Sequence, residues 1–281
     1  MKYTNLHNLP EPLVNAIAGE KKFEKNRYSV TDLLKSPQEL QLLRRHNDEI
    51  TIDVSDGLWA VLGSSVHYIL QKHSKTGLAE QYLTTDFEGC KIVGVADLYD
   101  EGLVTDWKVT SVYSFLLSDK DNWAKQLNIY AWLYKRSGMG VKDLRIYAIL
   151  RDWQLSKTFA DKDYPRIPFI EKKIDLMPMD FMESYIRERI RLHLEAEKVT
   201  DEQLPECTPE EKWARETTWA IMKKGAKKAV RVFEKEEYAK RVMESLDEKH
   251  YIEKRAGKNV KCTSYCNAKL KCFQYAKEIY K

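Results

Sequence analysis

The chain has 281 residues, 43% hydrophobic and 32% charged, enough for one large domain or two small ones. No apolar run approaches the ~20 residues of a membrane span, and a formal net charge of +4 is too mild to argue for or against nucleic acid. The opening stretch MKYTNLHNLPEPLVNAIAGEKKFEKN lacks a signal-peptide layout, so a soluble cytoplasmic protein with no membrane partner is expected.

In chain order, YSVTDLLKSPQELQLLRRH predicts a helix capped near Thr31 and broken or restarted at Pro37. SDGLWAVLGSSVHYILQKHSK follows with Leu58, Val61, Leu62, Val66, Ile69 and Leu70 at helical spacing. Two β-type runs, CKIVGVADLYD and GLVTDWKV, flank Asp100, Glu101 and Gly102 and read as a hairpin. NWAKQLNIYAWLYKRSG predicts a helix ended by Gly138. KDLRIYAILRDW and PFIEKKIDLM read as strands, and PMDFMESYIRERIRLHLEAEK as a long amphipathic helix started by Pro178. Helix, hairpin, helix, strand, strand, helix describes a mixed sheet flanked by helices, an α/β or α+β core over residues 1–200. From Thr200 the character changes. LPECTPEEKW reads as a loop, KKAVRVF as a short strand and KEEYAKRVMESLDEK as a charged helix. Residues 201–281 hold few apolar side chains and are expected to fold back onto the sheet.

The hairpin raises a question, because GVADLYDEGLVTDWKVTS sets Asp97, Asp106 and Lys108 among core-type residues. Alternate residues of a strand share a face, so Asp106 and Lys108 point one way, and Asp97 on the preceding strand faces Asp106. Two carboxylates beside an ammonium form a site for a hard cation such as Mg²⁺ or Mn²⁺, able to polarise a phosphate and lower the pKa of a bound water. An Asp-x-Lys pair alone is also what an exposed strand shows. Likewise His67 fits a core histidine, and Gln126 with Tyr130 fits a partly buried polar edge of a helix.

Five cysteines are an odd number, and three crowd the last twenty residues, which in a reducing compartment suggests a metal site. Cys262-x₃-Cys266-x₅-Cys272 with Cys207 upstream makes four thiolates, enough for Zn²⁺ or an iron–sulfur cluster, while Cys90 reads as core. The basic run MKKGAKKAVR, with Lys223, Lys224, Lys227, Lys228 and Arg231, is either a solvated face or a phosphate track.

The ordered set Gly63-x-x-x-His67, Gly94-x-x-Asp97, Asp106-x-Lys108 and Gln126-x-x-x-Tyr130 resembles the PD-(D/E)XK nuclease superfamily over roughly positions 28–135. More narrowly it is similar to the RecB-like branch, with its CRISPR-associated and phage-encoded single-domain exonucleases. The resemblance implies a restriction-endonuclease-like sheet. It implies Asp97 and Asp106 as metal ligands, His67 as an imidazole ligand biasing the site toward Mn²⁺ as well as Mg²⁺, and the Trp107 carbonyl completing the shell. Lys108 would be the catalytic lysine, and Gln126 and Tyr130 would position DNA. Several RecB-like nucleases carry one cysteine ahead of three at the C-terminal end, holding a [4Fe–4S] cluster. That layout implies the cluster at Cys207, Cys262, Cys266 and Cys272. Zn²⁺ is the alternative, since the first spacer here has three residues where two are commoner.

The leading reading is a metal-dependent DNA exonuclease that hydrolyses phosphodiester bonds in phage or mobile-element DNA processing or recombination, on DNA that is single-stranded or has free ends. With no Gly-x₄-Gly-Lys-Ser/Thr loop in the chain, unwinding would fall to a helicase or recombination partner; self-association is left open. The alternatives are a non-catalytic DNA-binding or assembly module with a structural metal cluster, and a small-molecule hydrolase using the same carboxylates.

Overall fold

Six strands build the main sheet in the computed structural model, which describes residues 1–19, 22–117 and 121–279. They are β1 (Arg27–Ser29), β2 (Leu78–Phe87), β3 (Cys90–Asp100), β4 (Leu103–Thr110), β5 (Asp143–Leu150) and β6 (Phe169–Ile174). The long β3 organises them. One of its edges runs antiparallel to β2, while the other takes β1 in parallel near its start and β4 in antiparallel near its end. β4 continues in parallel to β5, and β5 in antiparallel to β6, so the sheet is mixed. The strand period is plain in β5, where Leu144, Ile146, Ala148 and Leu150 are buried and their neighbours are not.

Both hairpins turn on a Glu-Gly pair. Glu88–Gly89 joins β2 to β3, and Glu101–Gly102 joins β3 to β4, with positive φ at all four residues (53°, 70°, 45° and 97°). This is the two-residue geometry whose twist matches that of the flanking strands. The second turn was expected from the sequence; the first, and the whole of β2, were not.

Three long helices flank this sheet: α1 (Leu58–His73), α2 (Asp121–Arg136) and α3 (Met179–Ala196). α2 packs on β2 through β5 and on α3, and every residue from Leu127 to Tyr134 is buried, as expected for a helix covered on both sides. Gly94 of β3 makes this approach feasible. A Cβ there would stand 2.8 Å from both Tyr130 Cε1 and Val30 Cγ2. α1 packs on β3 and β4 but buries none of its residues fully. Ser29, two residues before the expected cap, closes a capping box with Asp32 over the short helix Val30–Leu33, and a second helix starts at Pro37.

These elements belong to one compact unit, Met1–Lys35 with Leu43–Val199. A second unit comprises Thr200–Lys281 and takes in Ser36–Leu42, a pairing that a single cut at residue 200 does not anticipate. Its sheet places β7 (Thr218–Lys223) between β8 (Arg231–Phe233) and β9 (His250–Arg255), both antiparallel to it. Ala220, Ile221, Met222 and Ala239 are buried here. The tail therefore has a small core of its own, centred on Ile221 and Met222 of β7 and two alanines beside them. Among the described residues, no helix is long and apolar enough to cross a membrane.

Candidate active site

Asp97 lies three residues before the end of β3, and Asp106 is the fourth residue of β4. The β3–β4 pairing matches Leu98 with Thr105, and one further step sets Asp97 opposite Asp106. On the other edge of β3, the pairing with β2 matches Ala79 with Leu98 and Gln81 with Ala96, which sets Glu80 opposite Asp97. Three carboxylates thus stand in one row across three neighbouring strands.

α1 delivers His67 to this row. Its Nδ1 is 3.4 Å from Asp97 Oδ1 and 3.7 Å from Glu80 Oε1, and its Nε2 is 3.1 Å from the Trp107 carbonyl oxygen. The second oxygen of Asp97 accepts the Trp107 amide N–H at 2.7 Å, which locks the carboxylate to the next strand. Asp106 is almost wholly buried and pairs with Lys108 Nζ at 2.7 Å. Lys108 Nζ donates to Gln126 Oε1 at 3.2 Å, and Gln126 Nε2 donates to the Tyr130 hydroxyl at 3.4 Å. The i,i+4 spacing of Gln126 and Tyr130 on α2 puts both on one helix face, as expected. The structure therefore gathers His67, Asp97, Asp106, Trp107, Lys108, Gln126 and Tyr130 into one contiguous network and adds Glu80, which the sequence reading missed.

Electrostatics follow from this crowding. The bond to Asp97 raises the His67 pKa above its usual value, with burial opposing. Burial and then the Asp97 charge raise that of Glu80. Burial raises that of Asp106 most, against the pull of the Lys108 ammonium. The Tyr130 hydroxyl is pushed up to about 12 by burial and remains a neutral hydrogen-bonding group at physiological pH. Carboxylates lined up at such cost need a positive charge nearby.

The donor set suits a divalent ion. His67, Glu80 and Asp97 each offer an atom within 4.8 Å of the others, the one such trio of His, Cys, Asp or Glu among the described residues. An octahedral ion with ligands at about 2.1 Å spaces adjacent donors about 3 Å apart. The observed separations of 3.4 and 3.7 Å are within a small side-chain adjustment of that.

The cysteines behave differently. Cys90 is buried in β3, as a core residue would be. The sulfurs of Cys207 and Cys272 both approach Gln38 Oε1, at 3.3 and 3.4 Å, and Cys207 Sγ also meets Ser36 Oγ at 3.1 Å. Cys262 acts electrostatically on both Cys207 and Cys266, so all four belong to one neighbourhood. Burial holds them as thiols, with Cys207 and Cys266 pushed up to about 12. No three of the sulfurs lie within 4.8 Å of one another. A single tetrahedral zinc with Zn–S of about 2.3 Å requires sulfurs about 3.8 Å apart.

The basic run is a hairpin connection. Lys223 ends β7, Arg231 begins β8, and Lys224, Lys227 and Lys228 lie between, all five exposed. Trp213, earlier in the same unit, is 44% exposed and packs its ring against Tyr265 at 5.3 Å.

No family model matches this chain, and no curated protein matches it. Solved structures do match. The protein SSO0001 is 20% identical, with a TM-score of 0.45 over 61% of this chain and 79% of that one. An alkaline exonuclease from Laribacter hongkongensis is 10% identical, with a TM-score of 0.39 over 67% and 93%. A phage related exonuclease from Haemophilus somnus 129PT is 14% identical, with a TM-score of 0.31 over 66% and 77%. Likeness at this level says nothing about chemistry, which has to be argued from the site's own atoms.

Proposed function

We propose that the protein is a divalent-metal-dependent deoxyribonuclease of the PD-(D/E)XK superfamily, of the RecB-like exonuclease type. The observation that carries the reading is the network itself: a histidine and a row of carboxylates beside a lysine whose ammonium is steered by Asp106 and Gln126. His67, Asp97 and Asp106 would hold the ion, Mg²⁺ or Mn²⁺, which when bound supplies Lewis-acid charge at a phosphate oxygen and a water of lowered pKa.

The chain's own groups account for the rest. Lys108 Nζ, held at 2.7 Å from Asp106 and bonded to Gln126, presents its remaining proton to a non-bridging phosphate oxygen and stabilises the charge that builds there. Gln126 fixes the direction of that ammonium, and Tyr130 fixes Gln126. The Trp107 amide holds Asp97 in place, so the carboxylate needs no reorganisation when a phosphate arrives. A small-molecule hydrolase would use the same carboxylates, but the exposed basic hairpin from Lys223 to Arg231 favours a polyanionic substrate.

The four C-terminal-unit cysteines are read as ligands of a [4Fe–4S] cluster. The approach of Cys207 and Cys272 to the same Gln38 oxygen supports a shared site, and the cluster would fasten Ser36–Leu42, Cys207 and the C-terminal turn together within their unit. The corresponding biology would be end-directed processing or recombination of phage or mobile-element DNA.

The test is digestion of end-labelled single- and double-stranded DNA with Mg²⁺, Mn²⁺ or EDTA. Metal-dependent release of mononucleotides or short oligonucleotides from ends is the expected result. DNA left intact under every metal condition would favour a binding or assembly module.

A further inference from the structure

Beyond Lys108, the parallel strands β4 and β5 finish side by side in a cluster of exposed rings and cations, all within the sheet-bearing unit. The Arg151 amide N–H donates to the Thr110 carbonyl at 2.9 Å. Thr110 is two residues past Lys108, or about 7 Å at 3.3 Å per residue. α1 reaches the same end. Its His67 meets the Trp107 carbonyl, and Trp59 lies eight residues earlier, about 12 Å along the helix. The Arg151 guanidinium sits over the Trp59 ring, 4.2 Å from its centroid. A second pair follows from the same strand ends. The short helix Val112–Leu117 continues from β4 and presents Tyr113, with Lys157 Nζ 5.0 Å from its ring centroid.

Both rings keep an open side, since Trp59 is 63% exposed and Tyr113 43%. Single exposed apolar side chains are ordinary. Two rings that each carry a cation, side by side next to a site, are not. The cations are available too. The guanidiniums of Arg145, Arg187 and Arg191 meet carboxylates at 2.6, 2.7 and 2.6 Å, whereas among the described residues neither Arg151 nor Lys157 meets one. A guanidinium over a ring keeps its in-plane N–H donors for a phosphate. The loop carrying Lys157 is held firmly. Trp153 Nε1 donates to the Pro165 carbonyl at 2.8 Å, and the Gln154 amide donates to the hydroxyl of the buried Tyr164 at 3.0 Å. The Tyr164 ring meets Tyr113 edge-on, with centroids 6.3 Å apart.

We propose that Trp59 and Tyr113 are stacking platforms for the unpaired bases of a single DNA strand, with Arg151 and Lys157 on its phosphates, along a path from the carboxylate row past the ends of β4 and β5. This rests on the nuclease reading and names its substrate as the single-stranded form. An unpaired base can lay its face on an aromatic ring whatever its identity, and a positively charged groove holds the backbone beside it. A duplex offers its phosphates but keeps its base faces stacked on one another.

The experiment measures binding by anisotropy in EDTA, so that no cleavage intervenes. Full-length protein is titrated into a labelled single strand, the same strand with abasic sites in place of its central bases, and the same sequence as a blunt duplex. The parent should bind the base-bearing strand more tightly than the abasic one. Trp59→Leu and Tyr113→Leu keep apolar bulk but remove the ring. Each should weaken binding of the base-bearing strand about tenfold or more and leave the abasic strand and the duplex unchanged. Trp59→Phe should restore most of the loss, which a purely apolar contact would not require. Arg151→Gln should lower the slope of log affinity against log salt by about 0.7 on both single strands. Parental affinity in the Leu variants, an equal loss on the abasic strand or the duplex, or a parent that ignores the bases overturns the proposal. Adding Mg²⁺ or Mn²⁺ to the same preparations separates the two readings. Ring-dependent binding without cleavage would sink the nuclease reading alone; cleavage by a protein whose binding ignores Trp59 and Tyr113 would sink this one alone.

Discussion

The carboxylate row and the cysteine neighbourhood are both proposed to take metal, yet they are built on opposite principles. In the row, donors sit on paired strands and a long helix, at 3.4 and 3.7 Å from His67, with Asp97 already locked by a backbone amide. In the cysteine neighbourhood, Cys262 sits in a five-residue helix and Cys207, Cys266 and Cys272 lie outside any helix, and burial holds the thiols protonated. A rigid sheet can assemble like charges before the ion arrives, because ladder hydrogen bonds stabilise the geometry independently of it. Loops with so little regular structure would depend on a bound metal to hold them, so that binding energy would become folding energy. Losing metal from the first site should cost activity, and losing it from the second should cost structure.

The largest expected effect tests the second half of that contrast. Cys207→Ser or Cys272→Ser should abolish the broad absorbance near about 400 nm of anaerobically prepared protein and remove the cooperative unfolding transition of the C-terminal unit. Structural metal sites contribute on the order of 10 kcal/mol to small folds, so partial damage is not the expectation. Calorimetry of parent and variant decides it. A Cys207→Ser protein that keeps both colour and transition would show that the four sulfurs are ordinary buried thiols. A colourless parent with one bound zinc would keep the ligands and change the metal.

The converse holds at the sheet. Asp97→Ala and Asp106→Asn should each lower cleavage about 10³-fold, and Lys108→Ala about 10²-fold, with Tm changed by no more than a few degrees. Lys108→Ala should also leave Mn²⁺ affinity intact, since the ammonium binds no cation. Turnover on end-labelled DNA beside a thermal melt is the measurement. If Asp106→Asn cleaves like the parent, the row is a structural feature and the site assignment falls.

How much of this was legible in the sequence turns on single residues. The β3–β4 hairpin was readable because Asp100-Glu101-Gly102 interrupts two apolar runs. The β2–β3 hairpin has the same Glu-Gly turn at Glu88–Gly89, but β2 reads as LAEQYLTTDF, whose alternation fails at Ala79-Glu80-Gln81. The left-handed kink at Glu80 is what spoils the strand pattern, so Glu80 and its strand were missed together. Asp97, Asp106, Lys108, Gln126 and Tyr130 were legible because short-range periodicity fixes their faces. The partnership of Ser36–Leu42 with Thr200–Lys281 was not, because it joins segments far apart in the chain and leaves no local pattern.

Acid probes the sheet-bearing unit by itself. His193 of α3 is fully buried and stacked on Tyr28 with ring centroids 5.4 Å apart, and burial lowers its pKa to about 3. Unfolded, it would titrate near 6.5. Between those values the unfolded chain binds a proton that the folded chain refuses. This contribution is thus fully present above pH 6.5 and is lost as pH falls toward 3, by up to about 1.4 kcal/mol per pH unit. Urea melts between pH 7 and 4 should show that slope, and His193→Leu should flatten it. An unchanged slope in the variant would assign acid sensitivity to other groups.

The smallest effect belongs to the basic hairpin, and it separates a phosphate track from a solvated face. Lys224, Lys227 and Lys228 lie in the connection between β7 and β8 and are exposed, so replacing them should not disturb the core of the unit. Each phosphate neutralised on a single strand releases counterions and contributes about 0.7 to the slope of log affinity against log salt. If all three meet phosphates, the triple Lys→Gln variant should lower that slope by about 2 and weaken binding most at low salt, uniformly across sequences. Cleavage at saturating DNA should be unchanged, because binding is lost without loss of chemistry. Anisotropy titrations of a labelled single strand at several salt concentrations read the slope directly. A slope equal to the parent's would leave the carboxylate row without help from this hairpin, and DNA contacts would then have to be sought on the sheet-bearing unit itself.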